Sequence, residues 1–177
     1  MNIRWPVVVV VCLLGISVLA TQITVGDAVP SIAAADQHGI PFVLTNGTQF
    51  LLVVTEMACA KAANQKLAAQ GAGFLEKHQA FYLMDIHTMP SIARVFAFPK
   101  LRKYPQRIVL VDSADALASF PSQAGRVTVL ALTPLGHIQK ITYWNPDSEA
   151  LAAYYTQAFQ QAGITNFQFV ITSAVPY

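Results

Sequence analysis

This sequence predicts an α/β domain with a central mixed sheet flanked by helices, and three observations lead there. Phe50–Val54 is apolar at every position, as expected of a strand covered on both faces. From that strand to about residue 105, strand-type and helix-type segments alternate, the pattern of parallel strands joined by helical crossovers. Near the end, Val127–Leu132 and Ile138–Tyr143 flank Thr133-Pro134-Leu135-Gly136-His137, a composition suited to a β-hairpin turn, which adds antiparallel strands to the sheet.

The elements follow in order. Residues 1–20 read as a secretory signal: Arg4 supplies the positive start, Val7–Leu19 the apolar run, and Val18-Leu19-Ala20 the small residues that predict cleavage after Ala20. A membrane anchor needs roughly 20 apolar residues, and this run is shorter. Cys12 follows Val11 rather than a small residue, which argues against lipidation. Ile23–Pro30 is an extended lead-in, and Ile32–Ala35, the turn Asp36–Gly39 and Ile40–Leu44 predict a small hairpin. Asn46-Gly47-Thr48 matches a glycosylation sequon, but Asn-Gly is a common turn pair and is read here as a turn.

After the first long strand, Ala60–Gln70 has Ala60, Ala63 and Leu67 at helical spacing, and Gly71 and Gly73 interrupt it before a further turn at Phe74–His78. Ala80–Ile86 is a second strand. Met89–Phe98 carries Ile92, Val95 and Phe96 on one helical face and is expected to stop at Pro99. Arg107–Val111 is a third, short strand. Ser148 and Glu149 open a last helix with Leu151, Tyr155 and Phe159 at i, i+4, i+8, and Gly163 closes it. The expected organisation is therefore a signal at 1–20, one domain over 21–163, and an apolar tail at 164–177.

Charge and cysteine content narrow the functions. The chain has a formal net charge of +2, with 11% charged residues, so it lacks the electrostatic footprint of a nucleic-acid binder, and no Lys/Arg run suggests a membrane surface. Lys100, Arg102, Lys103 and Arg107 read as a solvated turn, with an acidic partner or a small anion as the alternative. Loss of 1–20 leaves Cys59 as the sole cysteine, so no internal disulfide can form. Gly71-Ala72-Gly73 follows a helix rather than a strand and has Glu76 at the third glycine position; this excludes a dinucleotide fingerprint, and no cofactor is expected.

Strand, helix, strand, helix, antiparallel hairpin and helix is the thioredoxin order. The run VGDAVPSIAAADQHGIPFVL resembles the opening of larger peroxiredoxins and secreted thioredoxins, in which V-G-x-x-x-P precedes a D-x-x-G hairpin. From Val25 to about Gln161 the chain resembles secreted bacterial thioredoxin-fold proteins, best in MPSIARVFAFPKLRKYP and GRVTVLAL. The resemblance implies a thioredoxin-like fold with an N-terminal β-hairpin extension and a periplasmic address. It also implies a reactive site where Phe50–Val54 meets the following helix, whose N-terminus favours a thiolate at Cys59. The chain departs from the redox pattern. Ala62 stands at the second cysteine of C-x-x-C, and in the peroxiredoxin pattern P-x-x-x-T-x-x-C the threonine and proline positions hold Glu56 and Leu52. Pro121 lies in the region of the thioredoxin cis-proline, but Ser122–Arg126 separate it from Val127.

Three functions follow as expectations. The first is an accessory or binding protein without dithiol chemistry, taking a protein, a peptide or a small thiol as partner at Met57, His87, Phe120 and Pro121. The second is a monothiol redox enzyme with Cys59 as its catalytic residue. The third is a Cu(I) carrier with Cys59, His87 and Met57 as soft or imidazole ligands, near Met84 and Met89. Asp85 and His87 are also placed to form an acid–imidazole pair.

Overall fold

The computed structural model describes residues 21–151 together with Ala153, Tyr154 and Gln157. The expected signal segment 1–20, the expected tail 164–177, and Tyr155, Phe159 and Gly163 of the expected last helix lie outside the described residues. The strands are β1 (Ala35–Asp36), β2 (Phe50–Val54), β3 (Ala80–Asp85), β4 (Val109–Val111), β5 (Val127–Leu132) and β6 (Ile138–Trp144). The helices are α1 (Met57–Ala68), α2 (Phe74–Lys77) and α3 (Ser91–Leu101). Leu151, Ala153, Tyr154 and Gln157 are helical as well.

One mixed sheet runs in the order β1-β4-β3-β2-β5-β6. β2, β3 and β4 are parallel, with Val54 opposite Met84 and Asp85 opposite Val111, while β5, β6 and β1 pair antiparallel to their neighbours. The fully apolar β2 is the central strand, and all five of its residues are buried. Its side chains alternate between faces: Phe50, Leu52 and Val54 join one core cluster, Leu51 and Val53 the other.

The steps β2→β3 and β3→β4 go the same way across the sheet. Right-handed crossovers then put α1 and α3 on the same face. The first core cluster bears this out: Cys59, Ala60, Ala63 and Leu67 of α1 pack there with Leu101 of α3, Trp144 and Leu151. Ile32 and Phe42 from the N-terminal extension cover the second face together with Leu117 and Phe120.

The extension is spare. Ala35 bridges Pro41, Asp36 N–H donates to Ile40 O, and Phe42 N–H donates to Ala34 O. Asp36 anchors it: Oδ1 accepts the His38 and Ile40 N–H groups at 2.9 Å each, and Oδ2 accepts Arg107 Nε–H at 2.9 Å. Gln37 prolongs the β1–β4 pairing with its side chain, accepting Ile108 N–H at 2.7 Å and donating to Gln106 O at 2.8 Å.

Pro99 does not end α3, which continues to Leu101. A proline withholds one N–H, here the partner of the Val95 carbonyl four residues back. Val95 and Pro99 both face water, which can solvate that carbonyl. The face bearing Ile92, Val95 and Phe96 also points outward, with exposures of 73%, 68% and 67%. Arg94 explains why. It sits roughly 200° around the helix from Ile92, at 3.6 residues per turn. Its guanidinium is fixed to Asp112, to Ile86 O and, through Nε, to Met89 O, at the carboxyl end of the sheet. With that side held inward by the clamp, Ala93, Ala97 and Phe98 pack on the core and the three large side chains turn away.

Candidate functional site

Met57, Cys59, His87 and Pro121 are gathered at one end of the sheet by topology. Met57 and His87 follow the carboxyl ends of the adjacent parallel strands β2 and β3, and β5 runs antiparallel to β2, so the approach to Val127 returns to the same end. The local geometry there differs from the sequence expectation in its register. α1 begins at Met57, with Glu56 as its N-cap, so Cys59 is the third helical residue and not a residue ahead of the helix. Met57 is 43% exposed, whereas Cys59 is turned inward and 2% exposed.

Burial pushes the Cys59 thiol up to about 11, and the negative charges of Glu56 and Asp147 add to the shift. This is opposite to the helix-start activation that the sequence suggests. Cys59 is still within the first turn, where the helix N-terminus favours an anion; its side chain faces the sheet, however, and desolvation outweighs that effect. Glu56 does not cap α1 with its side chain; its Oε2 accepts Gly125 N–H at 3.0 Å and ties the loop before β5 to the start of α1.

Tyr82 lies on β3, beside Leu52 of β2, and is fully buried. Its hydroxyl has no hydrogen-bond partner among the described residues. Burial holds the phenol well above its usual range, and the neighbouring Cys59 and Tyr104 reinforce it. On the far side of the sheet end, Asp85 and His87 do form the acid–imidazole pair: Asp85 Oδ1 lies 2.8 Å from His87 Nδ1 and accepts His87 N–H at 2.9 Å. Arg94 and Asp112 adjoin it, and Arg94 beside Asp112 holds that carboxyl below the ordinary carboxylate range.

Other expected ligands and contacts fall differently. Met84 and Met89 are core residues, 2% and 6% exposed, and Asn64 Nδ2 approaches Met84 Sδ at 4.0 Å. No group of three or more His, Cys, Asp or Glu side chains is placed to hold a metal ion among the described residues. Phe120, placed on the contact surface by the sequence, is instead 4% exposed and packed into the second core cluster, because the loop after β4 must cover that face of the sheet. Pro121 is part-exposed, and its carbonyl accepts the Thr128 hydroxyl at 2.6 Å. All peptide bonds among the described residues are trans, that of Pro121 included, and Arg126 directly precedes β5.

No family model matches the sequence, and no curated protein matches it. Solved structures do. A peroxiredoxin-like protein from Aquifex aeolicus superposes with a TM-score of 0.54 at 10% identity, covering 81% of this chain and 90% of that one. The thioredoxin domain of a thiol-disulfide oxidoreductase from Bacteroides vulgatus gives 0.51 at 14% identity, over 80% and 99%. A thio-disulfide isomerase from Thermus thermophilus gives 0.50 at 14%, over 80% and 98%. The fold is thioredoxin-like. At these identities the likeness extends to the fold alone.

Glu56 enters the sequence reading only as a departure from the peroxiredoxin threonine, and Tyr82 and Arg94 do not enter it. A glutamate directly before a helix is a legible signal for the first. The other two become visible only once β3 is placed beneath α1 and α3 is oriented.

Proposed function

We propose that this protein is a periplasmic accessory or binding module on a thioredoxin-like scaffold, without dithiol exchange chemistry. The observation that carries the reading is the state of Cys59: inward, 2% exposed, its thiol pushed up to about 11, and the only free cysteine among the described residues. In a C-x-x-C motif at a helix start the two residues are one turn apart, and the outer one meets solvent at the helix end. By burial Cys59 takes the inner place and Glu56, three residues earlier at the N-cap, the outer one, a register that differs from the Cys59–Ala62 pairing read in the sequence. The attacking thiol is thus replaced by a carboxylate already bonded to Gly125.

The remaining exposed groups at this end, Met57, His87 and Pro121, supply one apolar, one imidazole and one carbonyl-bearing contact for a protein or peptide partner. Cleavage after Ala20 places the domain in the periplasm in this reading. A thiol–disulfide exchange assay on a small disulfide substrate is the test. The expected result is turnover at background for the native chain and for Cys59→Ser alike; measurable exchange that Cys59→Ser abolishes would move the protein to the monothiol enzymes.

A further inference from the structure

We propose that the outward face of α3 is a docking surface for an anionic lipid bilayer. Ile92, Val95 and Phe96 would enter the acyl boundary, and Lys100, Arg102 and Lys103 would lie at the headgroups. The inference does not use Cys59 and stands apart from the reading of the thiol site.

Three large apolar side chains at i, i+3 and i+4 are each at least two-thirds exposed, on the side of α3 that the Arg94 clamp turns away from the sheet. The charge carried by this stretch of chain is of one sign. Between Ile86 and Val111 there are five cations and no acidic residue, so with a total of +2 the rest of the chain carries −3. Arg94 and Arg107 are paired with Asp112 and Asp36. Lys100, Arg102 and Lys103 are exposed at the carboxyl end of the same helix, without an ion-pair partner among the described residues; Arg102 donates Nε–H to Gln37 O at 3.0 Å.

An amphipathic helix with an apolar outer face and adjoining lysines is the pattern of interfacial binding, in which buried apolar area and attraction to anionic lipid act together. The shape favours a fluid surface over a protein. Ile92, Val95, Phe96 and the exposed Pro99 lie on one side of a single helix, a surface that lipid can surround without a preformed complementary groove. A second copy is disfavoured because it would bring two sets of uncompensated cations into one interface.

The test follows hydrogen exchange of the α3 amides in the full chain, alone and with vesicles of phosphatidylcholine or of phosphatidylcholine mixed with phosphatidylglycerol. A local readout at α3 separates this contact from any made by residues 1–20. Exchange in α3 should slow at least about 5-fold on the mixed vesicles and little on the neutral ones, since each basic residue near an anionic surface contributes about that factor. Lys100→Glu with Lys103→Glu, and separately Ile92→Ser with Phe96→Ser, should remove the slowing. All four residues are exposed, so the unfolding midpoint serves as the control for folding. Unchanged α3 exchange on mixed vesicles would overturn the proposal, as would equal slowing on both compositions. Slowing that grows with protein concentration in the absence of vesicles would assign the face to a second copy. Faster α3 exchange after removal of 164–177 would assign it to the tail.

Discussion

α1 and α3 are crossover helices on the same face of one sheet, and they point their apolar residues in opposite directions. In α1 the stripe Cys59, Ala60, Ala63 and Leu67 is buried, and Lys61, Gln65 and Lys66 meet the solvent. In α3 Ile92, Val95 and Phe96 meet the solvent, while Ala93, Ala97, the half-buried Phe98 and the buried Leu101 touch the core. The contrast shows that helical periodicity identifies a face without saying where it goes. For α1 the burial of β2 decides it; for α3 a polar clamp, Arg94 on Asp112 and on the Ile86 and Met89 carbonyls, decides it. The same contrast separates chemistry from surface: the helix that could hold a reactive thiol encloses it, and the helix with no reactive group displays its hydrophobic residues.

The sharpest way to break the comparison is to truncate one apolar residue on each helix. Leu67→Ala should cost about 2–5 kcal/mol in urea unfolding, the range for a buried leucine. Phe96→Ala should stay within about 0.5 kcal/mol, as exposed substitutions do. Similar losses at both sites would mean that the α3 stripe is packed in solution.

A smaller effect is expected at the polar anchor of the second face. Burial raises the Asp36 carboxyl, but the Ile40 and His38 N–H groups and Arg107 outweigh it, and its pKa is lowered. A depressed carboxylate contributes stability that is present above its unfolded pKa and lost as pH falls through the folded value. Stability should therefore decline below about pH 4, the unfolded aspartate range. Asp36→Asn should cost roughly 1–3 kcal/mol at neutral pH, the penalty for weakening buried hydrogen bonds, and should flatten that acid limb. An unchanged acid limb in the variant would assign the dependence to other carboxylates.

The smallest effect should come from Tyr82. Its hydroxyl is buried without a partner among the described residues, so Tyr82→Phe removes a desolvated dipole and leaves the packing. The change should be neutral or stabilise by up to about 1 kcal/mol. A clear destabilisation would show that the hydroxyl is satisfied.

The fold was largely legible in the sequence. β2 and β5 have the bounds read from their apolar runs, and the alternation from β2 to β4 carried the parallel half of the sheet. What escaped depends on tertiary placement. α1 starts at Met57, three residues before the first residue of the expected helix, because Met57-Ala58-Cys59 has no helix breaker and Ala58 carries no branching to oppose the turn. That shift leaves Cys59 in the first turn but on its inward side, where burial reverses the expected effect on its thiol. Pro99 was read as a stop because its neighbours' exposure is not visible in sequence. Phe120 was read as surface because the need to cover the second face of the sheet cannot be seen from its loop.

Cys59 is enclosed, and its thiol is not activated. The alkylation rate of Cys59 against pH in the full chain, with Cys12 replaced by serine, measures it directly. An enclosed thiol is expected to react slowly, at a rate still rising toward its pKa of about 11. A fast reaction with a midpoint below the ~8.5 of an ordinary cysteine would contradict it and would establish an activated thiolate at the start of α1.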